Sequence, residues 1–205
     1  MCFSLFGTRI FISYYFVIFI GLMLVCDKTA LLIPVMVSAA VHEAGHICAI
    51  KYCGLKLISI EIYPFLLRAK YNCGFTVKHL ITVYICGPLF NLLFGVVLLA
   101  VYNVYHIKTF LYFATVSFLT GAYNLLPCAG LDGGSITKLV LLKIFSRKTA
   151  KILLITISCL FTAVTIWFVL YTLNYKLNVT VLCLAFYLFI STFVTEGKDI
   201  GRKKL

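Results

Sequence analysis

The run Val41-His42-Glu43-Ala44-Gly45-His46 places two imidazoles and a carboxylate inside a span from Ala30 to Ile50 that is otherwise almost free of polar side chains. An ionisable side chain near a bilayer centre costs about 2.5–3.5 kcal/mol on insertion scales, so such a group is by default read as functional. On a helix, His42 and His46 lie one above the other on one face and can present two ring nitrogens to one metal ion. Glu43 projects beside them. In the hydrolytic zinc version of this pattern the Glu is not a ligand but the general base toward a water that the metal acidifies. A proton relay, a transported-ion site or a polar helix contact would use the same residue types.

The elements that hold this run are those of a membrane protein. Of 205 residues, 63% are hydrophobic and 12% charged, with a mean hydropathy of +1.08, which excludes an ordinary soluble domain. The net charge of +12 would suit nucleic acid. The Lys and Arg, however, fall in short segments between apolar spans, where the positive-inside rule and anionic headgroups account for them, and no nucleic-acid partner is expected. The nine Cys show no paired spacing and read as reduced, mostly as small packing residues.

Hydropathy predicts an α-helical polytopic fold of about six transmembrane helices, over residues 10–26, 30–50, 80–105, 109–126, 150–173 and 177–194. The first has no small-x-small cleavage site after it and reads as a retained span. Between spans two and three, Lys56-Leu57-Ile58-Ser59-Ile60-Glu61-Ile62-Tyr63-Pro64 alternates polar with β-branched residues, and Arg68, Lys70 and Tyr71 follow a turn at Pro64. This predicts a short β-hairpin at the membrane surface, whose edge could receive an unwound peptide segment; an ordinary basic loop is the plainer reading. The third span carries Gly87-Pro88-Leu89-Phe90-Asn91, a packing signal in which Gly87 allows close helix approach. The fourth ends at Asn124-Leu125-Leu126-Pro127, and Gly130-Leu131-Asp132-Gly133-Gly134 leads into a short amphipathic helix over Ser135 to Phe145.

Fifteen of the 18 Lys and Arg lie at the N-terminus, between spans two and three, after Asp132 and in the tail; only Lys28, Lys108 and Lys176 lie on the other side. That split predicts cytoplasmic termini and a multi-pass protein. It also puts His42, Glu43 and His46 near the cytoplasmic end of span two and Asp132 just past the cytoplasmic end of span four. A catalytic zinc takes three protein ligands and keeps one position open. With Asp27 on the far side, Glu43 already in use and Glu61, Glu196 and Asp199 in surface segments, Asp132 is the best remaining third ligand. Alternatively it is a helix N-cap.

Three pieces now stand in one order: HEAGH at His42 to His46, Gly87-Pro88-x-x-Asn91, and Asn124-x-x-Pro127-x-x-x-Leu131-Asp132-Gly133. In them the chain resembles the site-2 proteases, intramembrane zinc metalloproteases, from the first span to about Gly134. The resemblance implies one catalytic zinc held by His42, His46 and Asp132, Glu43 as the catalytic base, and Asn124 and Pro127 beside a membrane-associated protein substrate. It implies a bacterial inner-membrane location and possible inhibitory membrane-protein partners. Within the family, the compact six-span layout is most similar to the stage IV sporulation proteases, which process pro-sigma-K.

The chain departs from that pattern in three places. There is no PDZ insertion, and residues 1–197 read as a single protease domain. Residues 198–205 read as a basic cytoplasmic tail with no CBS domain. The hairpin has Pro64-Phe65-Leu66-Leu67 where relatives often have Gly after Pro-Phe. Two other classes compete. A zinc or proton transporter should show polar positions continuing to the Lys28 and Lys108 side, which the first half of span two lacks; an inactive membrane scaffold should have lost a ligand or the base, and none is missing.

Overall fold

The computed structural model describes residues 2–5, 8–26, 31–54, 57–63, 66–71 and 76–173. The expected sixth span at 177–194 and the basic tail lie outside them. The chain divides into two compact units, residues 1–123 and 124–205.

The first unit opens with β1 (Cys2–Leu5) and β2 (Thr8–Ile12), then α1 (Tyr14–Cys26), α2 (Leu32–Tyr52), β3 (Leu57–Tyr63), β4 (Leu66–Tyr71), α3 (Val77–Tyr105) and α4 (Lys108–Asn124). Its four strands form one sheet in the order β1-β2-β3-β4. β3 and β4 pair antiparallel, with Tyr63 opposite Leu66. β2 joins β3 in parallel, Ile10 opposite Ile60, which corrects the expectation of a helix from Ile10. The β-branched alternation of Thr8 to Ile12 is strand-like in itself, and a partner some fifty residues away completes it. The helix starts at Tyr14, and its 13 residues rise only about 20 Å, short of a hydrocarbon core of about 30 Å.

Three of the described helices are long and apolar enough to cross a membrane, Leu32–Tyr52, Val77–Tyr105 and Arg147–Thr165. In the first unit α2 and α3 make the most extensive helix contact. One close approach is at Gly45, where a Cβ would come within 2.5 Å of the Cys86 carbonyl oxygen. Burial there selects polar and small groups: Ser38, His42, Asn91 and Ser117 are inside, while Leu93, Val96 and Val97 are more than half exposed. Such an inversion suits helices whose outer faces meet lipid.

The second unit holds α5 (Asp132–Ile144) and α6 (Arg147–Leu173), preceded by the loop over residues 125–131. Gly130 takes a left-handed φ of 94° in that loop, a conformation glycine adopts without penalty. α5 is the amphipathic helix expected from Ser135, begun three residues earlier.

Candidate metal centre

α2 brings the two histidines of the HEAGH run together. The Nε2 atoms of His42 and His46 are 3.1 Å apart, with the rings nearly perpendicular at 89°. Two imidazoles bound at about 2.05 Å with tetrahedral angles would hold their nitrogens about 3.3 Å apart, so the pair fits one zinc ion with little adjustment. The orientation of His46 comes from α3. Its Nδ1 donates to the Val83 carbonyl oxygen at 2.8 Å, which places the proton on Nδ1 and leaves the Nε2 lone pair for a metal. Gly87 closes the other side: a Cβ there would lie 2.5 Å from Cε1 and Nε2 of His46 and 2.9 Å from Cε1 of His42. Glu43 is partly buried on the same helix, in the position following His42.

Asp132, Asn124 and Pro127 all belong to the second unit. Asn124 ends α4, Pro127 lies in the loop, and Asp132 is the first residue of α5. The N-cap of α5 is Leu131, with extended backbone and no side-chain cap bond, so the N-cap reading of Asp132 is corrected. The carboxylate instead sits in the first helical turn, where the positive end of the helix favours its charge. Close packing holds the loop against the start of α5. A Cβ on Gly133 would overlap the Leu125 carbonyl, and one on Gly134 would overlap the Cys128 carbonyl.

Sequence reasoning missed the anchor of this loop. The backbone N–H of Ala129 donates to Ser158 Oγ at 2.8 Å, and that hydroxyl donates in turn to the Leu154 carbonyl oxygen at 2.7 Å, both inside the unit. Ser158 lies in the fifth apolar span, and a lone serine in an apolar helix carries no signal until its partner is known. Ser158→Ala removes a hydrogen-bond acceptor from the buried Ala129 N–H, three residues before Asp132. It is expected to lower zinc affinity by about 10- to 100-fold, measured by competition with a chromogenic chelator, while membrane insertion is unchanged.

Cys128 is fully buried, and burial pushes its thiol up to about 11. At pH 8 the thiolate fraction is then on the order of one in a thousand, so alkylation of a variant retaining only this cysteine should be slow in the folded protein and rise steeply in SDS. Fast labelling of the folded form would contradict the packing role.

The chain has measurable relatives. The family model of peptidase family M50 matches residues 101–166, a stretch that includes Asn124, Pro127 and Asp132 but not the HEAGH run. A zinc metalloprotease of Methanocaldococcus jannaschii is 29% identical over 137 residues, 63% of this chain and 40% of the relative, so the chain spans about two fifths of that protein's length. The solved site-2 protease from Methanocaldococcus jannaschii shares the fold, with a TM-score of 0.69 over 95% of this chain and 94% of that one at 21% identity. The matched stretch and the curated relative show similarity to the zinc metalloproteases of peptidase family M50, and the fold is that of the solved site-2 protease.

Proposed function

We propose that the protein is a multi-pass zinc endopeptidase that cuts a peptide bond in a membrane-associated protein. The observation that carries this reading is the His42–His46 pair, with Nε2 atoms 3.1 Å apart and the His46 tautomer fixed by the Val83 carbonyl. Asp132 completes the ligand set, since His42, His46 and Asp132 are a donor group of the type and number that could hold one metal ion. Two imidazoles and a carboxylate leave the fourth position of a tetrahedral ion open, as catalysis requires. The Methanocaldococcus jannaschii relative is a zinc metalloprotease, which supports the same metal and the same chemistry.

Zinc held by these residues would supply Lewis-acid chemistry toward a carbonyl and a water. Glu43 would serve as general base toward the attacking water and then as acid toward the leaving amine. Asn124 and Pro127 line the approach of the substrate. A helical substrate hides its carbonyls in hydrogen bonds, so the cut segment must unwind, and the outer strand β4 offers backbone groups to an extended chain. The distribution of Lys and Arg supports cytoplasmic termini and a site near the cytoplasmic face. The finer reading is a bacterial inner-membrane enzyme of the sporulation type, acting on a precursor such as pro-sigma-K and held in check by membrane-protein partners. It rests on the three sequence motifs and the compact layout.

The test is reconstitution of wild type and Asp132→Ala into liposomes with a panel of single-span substrates, a pro-sigma-K-like precursor among them, with zinc measured on each preparation. Cleavage by wild type alone, with zinc lost from the variant, is the expected result. Zinc retained by both with no substrate cut would overturn the protease reading, and zinc uptake into the liposomes would establish the transporter in its place.

A further inference from the structure

The contact between α2 and α3 follows a regular ladder. His46 meets Val83 through the 2.8 Å hydrogen bond, and His42 meets Gly87, four residues back on one helix and four residues on along the other. Carried one helical turn further, the same antiparallel register would bring Ser38 opposite Asn91. Both are buried, Ser38 at 1% and Asn91 at 0% exposure. Neither the Ser38 hydroxyl nor either polar atom of the Asn91 carboxamide has a hydrogen-bond partner among the described residues.

That pattern is unusual within this molecule. Thr82, Thr115, Ser158 and Thr162 all turn their hydroxyls back to the carbonyl four residues earlier. Ser38 does not. The buried Ser117 hydroxyl of α4 comes to the same place, but it donates to the backbone oxygen of Asn91 at 2.9 Å and leaves the carboxamide unused. Gly121 packs against Asn91 Cβ from the same helix, which holds the side chain in place. Asn91 offers two donors and an acceptor, and Ser38 one donor and two acceptor lone pairs.

We infer that Ser38 and Asn91 form an internal water-binding site, one helical turn beyond the His pair along the α2–α3 seam. An ordered buried water makes two to four hydrogen bonds to groups otherwise unsatisfied, and this rung supplies three polar atoms from two facing helices. The site is electrically neutral and closed, which suits water and not an ion or a substrate group. Its water ties α2 to α3 beside the metal-binding residues without a direct contact between the two side chains.

A double-mutant cycle tests this in the purified full-length protein, read by thermal unfolding in detergent. Ser38→Ala and Asn91→Leu should each lower Tm by about 3–8 °C, because each leaves the water and the opposite group under-bonded. The double variant removes both side chains that would hold the water, and the water with them, so its loss should fall well short of the sum. Additive losses would overturn the site. Should Asn91→Leu fail to fold, a wild-type structure at a resolution that shows waters decides: density within hydrogen-bond distance of both side chains supports the site, and a direct Ser38–Asn91 bond or a dry contact overturns it.

Discussion

Glu43→Gln is expected to reduce peptide-bond cleavage by about 10²–10⁴-fold while zinc content stays at the wild-type level. The substitution keeps size and hydrogen-bonding capacity but cannot accept a proton at neutral pH. The His42–His46 pair has its own supports, with the Nε2 atoms facing each other at 3.1 Å and His46 held by α3, and the proposed ligand set is complete without Glu43. Metal binding and turnover should therefore separate at this one position. Single-turnover cleavage of a membrane substrate, with zinc quantified on the same sample, checks both halves. Residual turnover within tenfold of wild type would remove Glu43 from the base role. Loss of zinc alongside activity would make it a ligand.

What the sequence made legible and what it hid follow from the range of the interactions concerned. The His42–His46 pairing is local: a separation of four residues on a helix puts both rings on one face wherever that helix is packed. The start of the first span was misread because Thr8 to Ile12 is decided by β3, and Ile10 meets Ile60 through long-range pairing that no window of apolar residues reports. Asp132 was readable as a carboxylate at a helix start, but whether it capped the helix depended on a one-residue boundary, and Leu131 proves to be the cap. Ser158 was invisible for the same reason as β2. Its value lies in the Ala129 N–H that it receives from 29 residues away. Gly87 was recognised as a close-approach residue, but not what it approaches.

That approach carries the second large effect. Gly87→Ala is expected to weaken zinc binding by at least about 100-fold, the scale of losing ligand orientation, in a protein that still folds. By helix propensity alone the change should help, since Ala is favoured over Gly by about 1 kcal/mol in a helix interior. Against that, the new Cβ would stand 2.5 Å from two ring atoms of His46 and 2.9 Å from His42 Cε1, well inside van der Waals contact. Separating the helices would give up the close packing of Gly45 against the Cys86 carbonyl, one residue away on α3. Pro88 fixes the adjoining backbone at φ near −65°. The rings must then move, and with them the two Nε2 lone pairs. Gly95→Ala is the control, since the nearest atoms to its Cβ would be those of the Phe118 ring, 2.9 Å away, so it should alter packing and leave zinc bound. Zinc titration of the two variants distinguishes a clearance kept for the imidazoles from a general need for small residues in α3: equal losses would mean the latter, and a loss confined to Gly87→Ala would mean that this glycine is the wall against which the metal ligands are set.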